Sequence, residues 1–240
     1  MAGEVASMPA VLVAMPEEAQ GFLDLSDTHE GLNSPDDAWI ATAGDVTYLL
    51  VVTGIGMVSA ARAATLVSHG VIGGVRATTI VSAGTCGGIP GHVTVGDIVA
   101  PCCSLDWSAD STSIGYEYGQ VPGHAEFHES DEHLVDLAVE MGAKKGYLAS
   151  ANAFAVAETV DLIRERFPKV IATDMESAAV SQVAATSGIP FLSLRCVSDM
   201  CQGDGGVEFD EHLDDAAARS ARATLDLLAR AAREAAPVAG

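Results

Sequence analysis

Val170-Ile171-Ala172-Thr173-Asp174-Met175-Glu176-Ser177-Ala178-Ala179 reads as an apolar strand that turns directly into a helix of small residues. A carboxylate, Glu176, sits at that turn. Burying it is costly unless a cation or a hydroxyl meets it. In an open α/β sheet, ligands bind just beyond the carboxyl ends of the strands. Position alone also admits an ordinary first-turn acid, satisfied by the free N–H groups of a helix start.

Outward from this stretch the same alternation recurs. Apolar or β-branched runs predict strands over Pro9–Met15, Asp45–Thr53, Thr78–Ser82, Val95–Pro101, Tyr147–Ala151 and Phe191–Val197. Helices are predicted from Pro16, with acids in the first turn, and over Met57–Ser68 with Gly70 as the stop. Others follow a Ser130 cap up to Gly142, span Glu158–Phe167, leave Glu176 for Ser187, and run from Asp210 to about Ala235. Residues 25–37 and 106–127 read as loops, the second long enough to be functional. The expectation is an α/β fold in one domain over residues 1–240. It has three layers: a central mixed, largely parallel sheet flanked by helices, with 1–8 and 236–240 as loose termini.

Composition narrows the partners. Thirty-three acidic and twelve basic residues give a net charge of −21, which repels nucleic acid and anionic membrane surfaces alike. No apolar run reaches the ~18 residues of a membrane span. The start Met1-Ala2-Gly3-Glu4 lacks the basic opening of a signal peptide, so a cytoplasmic location is expected. Five cysteines without a Cys-x-x-Cys pair fit reduced thiols, and no metal site or cofactor is expected.

Three carboxylates, Glu18, Glu176 and Asp199, fall at three strand ends, and Arg195 shares a strand with Asp199. With a period of two, both would point to one face. Glycine-rich turns at Gly54–Gly56, Gly84–Gly88 and Gly203–Gly206 allow close approach of backbone to a ligand. If the strand ends share a rim, the cleft holds several acids, one arginine and aromatics. Such a cleft suits a polyhydroxylated, uncharged or cationic ligand such as a sugar or nucleoside, and suits a phosphate poorly. Taken singly, Glu18 also reads as a solvated first-turn acid, Asp199 as a helix cap and Tyr116 as a surface aromatic. Arg195 in an apolar strand needs a buried partner.

In sequence order these residues form a pattern. Ala14-Met15-x-Glu17-Glu18, Gly54-Ile55-Gly56-x-Val58, Gly84-Thr85-Cys86-Gly87-Gly88, Val95-Gly96-Asp97-Ile98-Val99, Gly115-Tyr116-Glu117-Tyr118-Gly119-Gln120-Val121-Pro122-Gly123, Asp174-Met175-Glu176-x-x-Ala179 and Arg195-x-x-Ser198-Asp199 follow one another from Val11 to Leu228. The set resembles the 5′-methylthioadenosine/S-adenosylhomocysteine nucleosidases of the nucleoside phosphorylase/nucleosidase superfamily. The resemblance implies that Asp199, held by Ser198, protonates the purine at N7. It implies that Glu18 activates the attacking water, positioned by Arg195 and Thr85. Glu176 would bind the ribose hydroxyls with Met175 against the sugar. Phe154 would stack on adenine, whose edge meets the backbone of Phe154 and Ala155. Met15, Ile55, Ile114, Tyr116 and Pro122 would line the 5′-alkylthio pocket, the last three reaching in from the 106–127 loop of a homodimer partner.

The resemblance leaves a fork between hydrolysis and phosphorolysis. Phosphorylases of the superfamily carry arginines near the first strand end and before the central glycine loop. Here those regions read Met15-Pro16-Glu17-Glu18-Ala19 and Val81-Ser82-Ala83-Gly84, without Arg or Lys. A carboxylate at Glu18 repels phosphate and favours water. Other readings are a hydrolase of another 5′-modified nucleoside, such as aminodeoxyfutalosine, and a non-catalytic nucleoside-binding protein. Departures from the family pattern are Thr85 in place of serine, the small Ala155, and the segments Asp106–Asp110 and Met200–Gly206, which bear on the preferred 5′-group.

Overall fold

The structure is a computed structural model that describes residues 6–202 and 205–235. In chain order the elements are β1 (Ala6–Val13), α1 (Pro16–Leu25), β2 (Thr28–Gly31), β3 (Ala38–Ala43), β4 (Val46–Val52), α2 (Met57–Ser68), β5 (Val75–Gly88), β6 (Ile98–Val99) and β7 (Cys103–Asp106). They continue as β8 (His128–Glu129), α3 (Glu132–Glu140), β9 (Tyr147–Ser150), α4 (Ala157–Arg166), β10 (Val170–Asp174), α5 (Ser177–Ser187), β11 (Phe191–Asp199) and α6 (Gly205–Ala235).

One mixed sheet takes the order β2-β3-β4-β1-β5-β10-β9-β7-β8, with β11 pairing β5 and β6 off that path. The pairs β1–β4, β1–β5, β11–β5, β10–β9 and β7–β9 are parallel. Antiparallel pairs lie at the margins and where β10 meets the end of β5. Alternation along β1 divides the core. Val11 and Val13 face a cluster with Phe22 of α1, Leu134 of α3 and Leu227 of α6. Ala10 and Leu12 face the opposite cluster with Ala60 and Ala64 of α2 and Val180 of α5. Both sheet faces are thus covered, giving the three expected layers in a single domain. Among the described residues, no helix is long and apolar enough to cross a membrane.

Several boundaries differ from the sequence reading for identifiable reasons. The 25–37 loop contains β2, a fully exposed edge strand (Thr-His-Glu-Gly) with no apolar alternation to betray it. Its partner β3 was equally unmarked. The helix cap at the start of α3 is Asp131, whose carboxylate accepts from Leu134 N at 3.1 Å. Ser130, the expected cap, instead donates to the Pro101 carbonyl at 2.7 Å. The Gly84–Gly88 segment is not a turn but the continuation of β5, wedged between β11 and β10. Glycine is needed there for room: a Cβ on Gly87 would lie 2.2 Å from Cys201 Sγ, and one on Gly88 would lie 2.9 Å from Val197 Cγ1. Residues 6–8, expected as part of a loose terminus, belong to β1. Residues 1–5, Gly203, Asp204 and 236–240 lie outside the described residues, and with them most of the looseness expected of the termini and half of the third glycine turn. Gly205 and Gly206 open α6, ahead of the expected start at Asp210.

Candidate active site

The carboxyl ends of β1, β5, β10 and β11 and the N-terminal ends of α1, α2 and α5 meet at one cleft. Met15, Glu18, Ile55, Thr85, Phe154, Ala155, Met175, Glu176, Arg195, Ser198 and Asp199 all line it. Its volume is about 180 Å³, below the roughly 300–1,000 Å³ of sites that enclose a drug-sized ligand. Ile114, Tyr116 and Pro122 do not reach it in this chain. They lie on the 106–127 loop, where Ile114 is 68% exposed. That loop is pinned from behind by other aromatics: Tyr118 packs on Phe167 and Phe127 on Tyr147.

Glu18 is held by four donors. Pro16 begins α1, which places Glu18 in its first turn. Oε2 accepts from Ala14 N at 2.8 Å and Met15 N at 3.2 Å, while Oε1 accepts from Thr85 N at 2.8 Å and Thr85 Oγ1 at 3.0 Å. A carboxylate offers about four lone-pair positions, so each is occupied. Gly84 makes this possible: its φ is +128°, and a Cβ there would stand 2.2 Å from Glu18 Oε1.

Arg195 is fully buried and surrounded by acids and carbonyls. Nε contacts Asp174 Oδ2 at 2.8 Å and Nη2 contacts Glu176 Oε2 at 3.4 Å. Nη2 also donates to Ser82 Oγ at 2.8 Å, and Nη1 to the Thr85 carbonyl at 3.0 Å. A guanidinium carries five N–H donors, and these bonds leave one Nη1–H over for a molecule in the cleft. Burial would lower the Arg195 pKa, but Asp174, Glu176 and Glu18 outweigh it and the net shift is upward. Asp174, given no role of its own in the sequence analysis, is the partner that a buried arginine requires. Besides Arg195 it accepts from Ser150 Oγ, Ser177 N and Ser177 Oγ.

Glu176 accepts from Gly56 N at 2.9 Å, the N-terminal edge of α2. Gly56 adopts φ +98°, which glycine tolerates, and so turns its N–H toward the carboxylate. Burial pushes the Glu176 carboxyl up to about 7, against the pull of Arg195 and the Gly56 N–H. Asp174 and Glu18 add to the rise.

Asp199 stands at the end of β11, where the register against β5 shifts between Val197 and Asp199. Arg195 and Asp199 both line the cleft, as expected, and the bulge brings Ser198 to it as well, so that consecutive residues face the same space. Asp199 Oδ1 accepts from Cys201 N at 2.9 Å, and Oδ2 lies 3.0 Å from Ser198 Oγ. Ser198 Oγ is also 3.2 Å from the Cys86 carbonyl. A hydroxyl has one proton, and a carbonyl only accepts. Ser198 therefore shares its one proton between Asp199 Oδ2 and the Cys86 carbonyl. Burial raises the Asp199 pKa, Glu208 adds to that, and the Cys201 N–H and the Ser198 hydroxyl oppose it.

The end of the cleft formed by Phe154 and Asp199 contains groups the sequence reading did not single out. Phe209 of α6 meets Phe154 edge-on, with centroids 6.1 Å apart and planes at 82°. Cys86 and Cys201 line the same end, and burial pushes both thiols up, so they present neutral sulfur. No periodic signal marks Phe209, a single aromatic between Glu208 and Asp210.

A sheet of this order, with an acid-lined cleft at its strand ends, is a phosphorylase-type α/β domain. A family model described as the phosphorylase superfamily matches residues 10–232. The chain is 32% identical to the 5′-methylthioadenosine/S-adenosylhomocysteine nucleosidase of Hydrogenovibrio crunogenus, over 91% of this chain and 97% of that protein. It is 31% identical to the enzyme of that name from Halalkalibacterium halodurans, over 92% and 97% of the two chains. The Neisseria meningitidis nucleosidase, solved in complex with methylthio-immucillin-A, superposes with a TM-score of 0.85 at 28% identity, covering 94% of this chain and 99% of that one. The chain belongs to the 5′-methylthioadenosine/S-adenosylhomocysteine nucleosidase family of the phosphorylase superfamily.

Proposed function

We propose that this protein hydrolyses the N-glycosidic bond of 5′-methylthioadenosine, S-adenosylhomocysteine or a related 5′-modified adenosine, releasing adenine and the 5′-modified ribose. The observation that carries hydrolysis over phosphorolysis is the charge balance of the cleft. Four carboxylates line it (Glu18, Asp174, Glu176 and Asp199), and the one cation among its described lining residues, Arg195, is already engaged by two of them. A phosphate dianion would meet net negative charge at short range.

On this reading Asp199 donates its proton to purine N7 as the glycosidic bond breaks, so adenine leaves neutral. Glu18 receives a proton from the attacking water. Of the four donors on Glu18, only the Thr85 hydroxyl can turn away, so the water gains Glu18 at Oε1. The spare Nη1–H of Arg195 steadies it. Glu176 accepts the ribose 2′- and 3′-hydroxyls, and its charge stabilises the positive sugar of the transition state. Met175 packs against the sugar. Phe154 stacks on the base, whose edge meets the Phe154–Ala155 backbone; among the described residues that backbone makes no other hydrogen bond.

Met15 and Ile55 form part of a 5′-pocket, and we propose that a second copy of the chain completes it with Ile114, Tyr116 and Pro122 of its loop. The exposed apolar residues Ile55 at the cleft, Val58 at the start of α2 and Val121 on the loop support a homodimer through this face. Five free cysteines fit a reducing, cytoplasmic setting. The test is adenine release from 5′-methylthioadenosine with and without phosphate. Release without phosphate, at a rate phosphate does not raise, is expected; release only with phosphate overturns hydrolysis.

A further inference from the structure

Phe209 closes one side of the base pocket, yet it sits at the start of α6, outside the sheet that fixes the other site residues. Something must hold this end of the helix over the cleft. Met200, next to Asp199, donates its N–H to Glu208 Oε2 at 3.0 Å. Glu208 is next to Phe209. One hydrogen bond therefore joins the neighbour of the acid to the neighbour of the aromatic wall. We propose that Glu208 is a positioning residue: its carboxylate clamps the first turns of α6 to the strand-end turn after β11, holding Phe209 against Phe154 and the base end of the cleft closed around Asp199.

Two further features agree. The turn is itself constrained, because Cys201 adopts φ +53° with its sulfur seated in the hollow left by Gly87, so the Met200 N–H has a fixed direction. The negative charge of Glu208 also faces Asp199 and favours its protonated form. The other groups facing Asp199 are Ser198 on its own strand, Cys201 on the turn and Cys86 across on β5. A helix-start acid that merely met the helix dipole would affect stability alone.

This inference rests on the nucleosidase reading, and its test separates the two. Wild-type protein, Glu208→Gln and Glu208→Ala are compared for adenine affinity by calorimetry and for the pH dependence of 5′-methylthioadenosine hydrolysis. Gln keeps the acceptor and loses the charge; Ala loses both. The expected result is adenine binding weakened roughly tenfold in Glu208→Ala, about the worth of one hydrogen bond to a charged group, and within about twofold of wild type in Glu208→Gln. In both variants the alkaline limb of kcat moves to lower pH by roughly half a unit, since removing a nearby negative charge lowers the pKa of the acid. Equal adenine affinity in all three proteins, or equal loss in both variants, overturns the clamp. An unmoved alkaline limb overturns the electrostatic part. Adenine binding needs no turnover, so a wild type that binds adenine without hydrolysing the nucleoside sinks the nucleosidase reading and leaves the affinity comparison to decide the clamp. A wild type that does not bind adenine overturns both.

Discussion

Replacing Glu18 by glutamine removes one charge and changes one atom, yet the site cannot absorb it. The carboxylate accepts from two backbone N–H groups on one oxygen and from an N–H and a hydroxyl of Thr85 on the other. A glutamine amide has one accepting end. Its oxygen best faces Ala14 and Met15, because two N–H groups there cannot reverse. Its nitrogen then faces Thr85, whose hydroxyl can rotate to accept but whose backbone N–H cannot. One buried donor is left unpaired, at about 1–3 kcal/mol, and the bonds that remain lose their charge assistance. Relief from burying a charge offsets part of this. The net is a loss of about 2–4 kcal/mol, which for a chain of this length lowers Tm by roughly 5–15 °C. The assay is thermal melting by circular dichroism, paired with adenine release. Glu18→Gln is expected to melt well below wild type and to release no adenine. Melting within about 2 °C of wild type would refute the four-donor account of Glu18, on the same temperature scale. Wild-type turnover by the variant would refute its role toward water.

Other outcomes follow from the same geometry. Asp199→Asn keeps the side-chain volume but has no acid proton, so adenine release should fall by roughly 10²–10⁴-fold while calorimetric binding of the nucleoside persists; near-normal turnover would remove Asp199 from its role. Glu176 must be ionised to accept two ribose hydroxyls, and its pKa is about 7. Nucleoside affinity should therefore weaken as pH falls below that value and level off above it, with protons released on binding near neutrality. Titrations in buffers of differing ionisation enthalpy check this, and a pH-independent affinity in Glu176→Gln is the matching control. Gly84→Ala forces a side chain at φ +128° into Glu18, and should cost both activity and stability, whereas Ala at Gly44, which has no neighbour within 4 Å, should cost only backbone strain of about 1 kcal/mol by melting. Asp174→Asn leaves the buried Arg195 without its closest counter-charge and should destabilise by about 3–5 kcal/mol, read in urea.

The layered fold was legible because both faces of its central strands are buried. Runs such as Pro9–Met15 and Phe191–Val197 are rich in apolar residues, and after the first a helix-start signal follows at once. What lies on the rim was not. The strand β2 is exposed at every residue, so selection for burial wrote nothing into its sequence. The glycine run at 84–88 has the composition of a turn but the conformation of a strand, because its glycines answer to neighbours distant in sequence: Glu18, Cys201 and Val197. The same limit applies within the cleft. Order along the chain pointed to Glu18, Glu176, Arg195 and Asp199, and they do converge. It did not reveal Asp174 as the counter-charge of Arg195, nor the contributions of Phe209, Cys86 and Cys201, since those depend on approach angles and not on spacing.

The role of Arg195 follows from that missed pairing. A lone guanidinium in the cleft would attract anions and would suit a phosphate. Bound on Nε by Asp174 and on Nη2 by Glu176, it instead cancels charge that could not otherwise be buried. Three acids, Asp174, Glu176 and Glu18, act on this one cation, so cancellation is incomplete. The residue of negative charge lies beside the expected position of the ribose, where the proposed reaction develops positive charge. Asp199 sits beyond this cluster, on the far side of the β11 bulge, where Glu208 is the carboxylate that acts on it. The cleft thus sets Asp199, its pKa raised by burial and by Glu208, apart from the carboxylates grouped around Arg195, and the bulge between Val197 and Asp199 separates the two environments.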